Sequence, residues 1–209
     1  MTETEFLRDV EKHEMIVVKD DGLHRHIRLK RPSTGHMSFD IVTWPGYLAY
    51  SGDMGSYVFS RLTDMFEFFR TDIDSPYLKA KGLTLGINPS YWGEKLQAVD
   101  KNDGYKEWSP EKFRNNLRER FDQWAEDRDF SDDLKAEAWR NVESEVIWRM
   151  DDGGQEHAYR QAMDFTFDGS HPFAEFYEYN SEDYSGRFMW CCYALAWGIK
   201  TYDDAKVLT

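Results

Sequence analysis

The sequence predicts an α+β protein: an N-terminal antiparallel β-meander of about five strands packed against a C-terminal set of helices. Three observations carry that reading. Short apolar runs separated by turn residues fill the chain from Met15 to about Leu62. Beyond that point the apolar spacing changes to the three- and four-residue steps of amphipathic helices. The helices follow the strands as a block, which argues against βαβ repeats. With 209 residues, 41% of them apolar and 16% aromatic, the chain has material for a sizeable core. It reads as a single domain over residues 1–209, strand-rich from about 15 to 62 and mostly helical from about 63 to 204.

The elements follow in order. Thr2 and Glu5 have capping-box spacing, and Phe6 and Val10 share a face, so the chain opens on a short helix. Asp20-Asp21-Gly22 separates Met15–Val18 from His26–Lys30, where Ile27 and Leu29 alternate with charged residues as in a half-buried strand. Pro32-Ser33-Thr34-Gly35 precedes Ser38–Thr43, and Pro45-Gly46 and Gly52–Gly55 divide two further strands. Asp64–Arg70 reads as a short helix and Leu83–Tyr91 as irregular. Ser109-Pro110-Glu111 starts a helix with Phe113, Leu117, Phe121 and Trp124 on one face. Ser131-Asp132-Asp133 starts another, carrying Leu134, Ala138, Val142 and Val146. Gly153-Gly154 ends it, Gln155–Met163 forms a third, and Arg187–Ile199 is a tail helix with Trp190, Cys191 or Cys192, Ala194 and Trp197 toward the sheet.

The longest apolar run, Phe188 to Ile199, has 12 residues, short of the ~20 that a bilayer requires. The opening MTETEFLRDVEKHE lacks the apolar region of a signal peptide, so a cytosolic protein is expected. The two cysteines are adjacent, which fits a reducing compartment better than a structural disulfide. The net charge is −13, and no Lys or Arg occurs between Arg160 and Arg187. Nucleic acids and anionic membranes are both recognised through cations, so direct binding to either is disfavoured.

Candidate chemistry is thin. Gly52-Asp53-Met54-Gly55 resembles a phosphate loop, but strand formers follow it where a helix N-terminus is needed, and Asp53 would repel phosphate. It reads as a hairpin turn. His24 and His26 would share a strand face, but His36 is the only other nearby imidazole and basic residues surround the pair, so no metal is expected. No nucleophile elbow or Walker sequence occurs. The cysteines lie in an apolar stretch that raises a thiol pKa. The acidic pairs Asp20-Asp21, Asp132-Asp133, Asp151-Asp152 and Asp203-Asp204 sit at turns or helix ends, where acids have structural uses. No cofactor and no catalytic residue is expected.

One segment stands apart. Asp164–Asp183, DFTFDGSHPFAEFYEYNSED, holds six acids without a Lys or Arg, interleaved with Phe165, Phe167, Phe173, Phe176, Tyr177 and Tyr179. Either the aromatics are core and the acids line its rim, or the segment is an anionic face for a basic protein surface. In the second case Asp164, Asp168, Glu175, Glu178, Tyr179, Glu182 and Asp183 bind the partner.

Several stretches carry a family resemblance: TWPG at Thr43–Gly46, SGDMG at Ser51–Gly55, YVFSR at Tyr57–Arg61, DMFEFF at Asp64–Phe69, NPSYWGEK at 88–95, and FMWCCYALAWGI at Phe188–Ile199. The chain resembles an uncharacterised family of proteins encoded by bacteriophages and prophages, over about residues 24–204. The resemblance implies an accessory protein acting in the cytoplasm of a bacterial host, of the kind that inhibits host nucleic-acid-handling or defence proteins such as CRISPR or restriction systems. The partner expected is then a basic surface of a host protein or protein–nucleic acid complex, bound without catalysis. The alternative is an enzyme or small-ligand binder with a pocket at the sheet–helix junction, using Asp53, Arg61, Tyr91, Trp92 and Glu94. A virion assembly role is disfavoured by the lack of extended or coiled segments.

Overall fold

The computed structural model describes residues 1–70, 75–101, 104–150 and 153–207. The protein is α+β, and its chain divides into two compact units, Met1–Lys106 with Tyr184–Thr209, and Glu107–Asp183. Two short strands, β7 (Lys106–Trp108) and β8 (Glu182–Tyr184), pair with each other. The chain leaves unit 1 within β7 and returns within β8.

Unit 1 is built on a six-stranded antiparallel sheet in sequence order: β1 (Glu14–Asp21), β2 (His24–Lys30), β3 (Phe39–Trp44), β4 (Tyr47–Gly52), β5 (Gly55–Ser60) and β6 (Leu96–Ala98). The first five are those the turn residues announce; the three-residue β6 has too little sequence to show a period. Alternation sends Ile27, Leu29, Phe39, Ile41, Leu48, Tyr50, Tyr57 and Phe59 into the core. On the opposite face His26 and Arg28 of β2 converge on Asp40 of β3, at 2.5 and 2.9 Å. The outer strand β1 carries a bulge between Val17 and Lys19, a device that interrupts a sheet edge.

Helix α8 (Gly186–Val207) is longer than the sequence suggests and fills the unit. Phe188, Trp190 to Ala196, Gly198, Ile199 and Tyr202 are buried, so the helix is covered on nearly every side. Its approach to the sheet is close: a Cβ on Gly198 would stand 2.8 Å from Ile41 Cδ1. Trp197, expected against the sheet, is half-buried, with its ring 6.4 Å from Phe39 of β3 and 6.1 Å from Phe6. Helix α1 (Glu3–Val10) has the expected capping box at Thr2 and Glu5 and packs Phe6 on Trp190, whose Nε1–H donates to Asp9 at 3.1 Å. Asp64 caps α2 (Met65–Phe69) and forms a two-pronged ion pair with Arg25 at 2.8 and 2.9 Å. Two one-turn helices, α3 (Pro76–Lys81) and α4 (Pro89–Gly93), occupy stretches too short to display periodicity.

Unit 2 has its own core. Helix α5 (Pro110–Glu126) is capped by Ser109 and buries Phe113, Leu117, Phe121 and Trp124, as their spacing requires. Helix α6 (Asp132–Val142), capped by Ser131, continues into a π-turn over Glu143–Ile147 and buries Ala138, Val142 and Val146, while Leu134 stays exposed. Gly154, at φ 71°, opens α7 (Gly154–Asp164). Phe165, Phe173 and Phe176 close the core from the segment that follows. The Asp151-Asp152 pair lies outside the described residues.

Candidate functional site

Charge is partitioned between the units. Unit 2 holds 21 acids against 9 Lys or Arg, a net of −12, whereas unit 1 holds 18 against 17, a net of −1. Within unit 2 the imbalance concentrates after α6: residues 153–183 contain seven acids and Arg160 alone among Lys and Arg.

The two readings of Asp164–Asp183 are both realised, each by different side chains. Phe165, Phe173 and Phe176 are core and Phe167 is half-buried, whereas Asp164, Asp168, Glu175, Glu178, Glu182 and Asp183 are all exposed. Tyr177 and Tyr179 are 64% and 37% exposed. The segment is anchored by its phenylalanines and presents its acids and tyrosines.

Its last residues are fixed in place by hydrogen bonds to their main-chain carbonyls. Four consecutive carbonyls each receive a donor from α5, α7 or the cap of α5. The Tyr159 hydroxyl donates to Tyr179 at 2.7 Å and Asn116 Nδ2 to Asn180 at 3.2 Å. The Ser109 N–H donates to Ser181 at 2.8 Å and Lys112 Nζ to Glu182 at 2.7 Å. With every carbonyl engaged from 179 to 182, the loop follows a defined backbone path. Tyr179 also stacks on Phe176, with ring centroids 5.0 Å apart, and Tyr159 packs its edge on Phe113 at 5.2 Å.

These residues wall a cleft of about 550 Å³, lined by Gln155, Glu156 and Tyr159 of α7 and by Tyr177–Glu182. Among the described residues no basic side chain lines it. A second cavity of about 280 Å³ brings Glu175, Glu178 and Tyr179 together with Arg120 and His171. Of the residues expected from sequence, Glu178, Tyr179 and Glu182 therefore meet in the larger cleft, and Glu175 joins the smaller. Asp164, Asp168 and Asp183 line neither; Asp168 occupies a turn at φ 49°. Sequence reasoning missed Glu156 and Tyr159, whose three-residue spacing on α7 places them on one face. It also missed Trp148, 80% exposed after the π-turn.

The chain matches no protein-family model, no curated protein and no solved structure.

The surface of α5 and α6 differs from the cleft in charge. Asp122 is bonded by both Arg118 and Lys135 at 2.9 Å, and a cavity of about 410 Å³ there is lined by Arg118, Asp132, Lys135, Trp139 and Arg140. That face mixes signs, as an ordinary solvated surface does.

The other candidates have structural occupations. Asp53 and Met54 form the turn between paired Gly52 and Gly55, with Gly55 at φ 115°. The Asp53 carboxylate accepts the Met37 N–H at 2.7 Å and so pins the loop before β3. Arg61 lies at the far end of β5, roughly 20 Å away at ~3.3 Å per residue, so the two do not share a pocket. Trp92 is buried against Phe69 at 4.8 Å, and Tyr91 faces Lys95, which pairs with Glu94. Burial drives both thiols well above their ordinary pKa, and Cys191 donates to the Met54 carbonyl. No group of three potential metal ligands occurs among the described residues. No helix among them is long and apolar enough to cross a membrane.

Proposed function

We propose that the protein is a non-catalytic binding protein whose unit 2 docks on a basic surface of another protein. The observation that carries this reading is the concentration of −12 of the −13 net charge in unit 2, with the acids of Asp164–Asp183 exposed on a segment anchored by buried phenylalanines. Such a field raises the encounter rate with cationic partners and repels phosphate backbones. Tyr177 and Tyr179, exposed among these acids, are of a residue type that supplies much of the binding energy when an interface forms.

Protein surfaces rich in Lys and Arg are characteristic of nucleic-acid-handling machinery, because they neutralise phosphates. An anionic protein face occupies such a surface in place of nucleic acid and blocks it. The resemblance to phage-encoded proteins makes a host nucleic-acid-handling or defence protein, met in the bacterial cytoplasm, the partner class of this reading. The test is affinity capture from bacterial lysate on the immobilised protein, beside a Glu175→Lys/Glu178→Lys/Glu182→Lys variant of unchanged melting temperature. A basic protein retained by the wild type and lost from the variant is expected. Captured proteins that are acidic, or that the variant retains equally, would contradict the reading.

A further inference from the structure

Resting on the reading that unit 2 binds a basic protein surface, we infer that the cleft between α7 and residues 177–182 is the receptor for an arginine side chain of that partner. Two properties of the cleft select this occupant, and a third gives it room. Its charged lining residues, among those described, are Glu156, Glu178 and Glu182, all exposed, so a cation is attracted and an anion repelled. Its aromatic lining residues are Tyr159, Tyr177 and Tyr179, of which Tyr177 is 64% exposed and offers a ring that a cation can lie against. Its volume of about 550 Å³ lies in the ~300–1,000 Å³ range of binding pockets.

Guanidinium fits that lining better than ammonium. It is planar and weakly hydrated, stacks on aromatic rings, and presents paired donors to a carboxylate. Ammonium is compact and strongly hydrated, and it loses more on leaving water for an aromatic wall. The wall is also built before binding. The carbonyls of residues 179–182 are all engaged, and Tyr179 is stacked on Phe176, so the backbone beneath the cleft needs little further ordering.

The experiment is calorimetric titration of the full chain with an arginine-rich glycine–serine peptide and its lysine counterpart of equal charge, at about 0.15 M salt. The arginine peptide is expected to bind more tightly. Tyr177→Ala, at a ring 64% exposed and thus free of a core role, is expected to weaken it about tenfold, and Tyr177→Phe to restore it. Equal affinity for the two peptides, unmoved by Tyr177→Ala, would mean binding by charge alone; the arginine site would then be wrong while the anionic docking face stood. Binding of neither peptide would overturn the docking face and the arginine site together.

Discussion

The Tyr159 hydroxyl donates to the Tyr179 carbonyl at 2.7 Å, joining α7 to the acidic segment twenty residues later. The bond lies at the cleft, and it is one of four that hold the backbone of residues 179–182. Tyr159→Phe keeps the packing on Phe113 and Phe176 and removes only the donor. Because the carbonyl is near solvent, the stability cost should stay below about 1 kcal/mol. Hydrogen exchange at residues 177–182 should accelerate, as the loop loses one of its ties. Unchanged exchange would show that the remaining three bonds suffice.

Gly198 sets the distance between α8 and the sheet. A Cβ there meets Ile41 Cδ1 at 2.8 Å, Leu29 Cδ1 at 3.4 Å and Phe39 Cε2 at 3.5 Å. Gly198→Val forces these core side chains apart, and overpacking of this kind costs about 1–3 kcal/mol. A lower urea midpoint with unchanged slope is the expected result.

Cys191 and Cys192 are fully buried, and their thiols are pushed up by desolvation. A thiol reagent at neutral pH should label neither in the folded protein and both in denaturant. Rapid labelling of the native state would place α8 nearer the surface than described.

The Arg25–Asp64 pair makes a pH prediction. The hydrogen bond from Arg25 holds the Asp64 carboxyl below its ordinary value of 3.8, against burial, which raises it; the Phe66 N–H also favours the ionised form. A depressed folded-state pKa stabilises the fold above the ordinary value, and the contribution disappears as pH falls through the folded value. The stability advantage of wild type over Asp64→Asn should therefore be full at neutral pH and shrink below about pH 4. Chemical denaturation of both proteins across pH 2–7 measures it.

The strands β1 to β5 were legible because each boundary carries its own chemistry: Asp21-Gly22, Pro45-Gly46 and Gly52–Gly55 dictate turns whatever they later pack against. The faces of α5 and α6 were legible for the same local reason. Helix α8 was legible only in part, because a helix buried on nearly every side has no period to mark its ends or its sheet-facing stripe. The phenylalanines of Asp164–Asp183 and its acids alternate too irregularly to separate core from face, and the fold separates them. The cleft itself was not legible. It depends on Glu156 and Tyr159 meeting residues 177–182, and such long-range pairings leave no trace in local spacing. Nor was the charge partition, since the limits of unit 2, Glu107 and Asp183, carry no signal of their own in the sequence.

The most direct measurement is the association rate of the captured partner as ionic strength rises. Exposed charges act over a Debye length of ~8 Å at physiological salt, so added salt removes steering before it breaks contacts. Docking through the acidic face of unit 2 predicts that the on-rate falls steeply while the off-rate changes little. The Glu175→Lys/Glu178→Lys/Glu182→Lys variant should show no association at any salt and melt close to wild type, since exposed charges add little to stability. An on-rate indifferent both to salt and to the three reversals would contradict docking through that face.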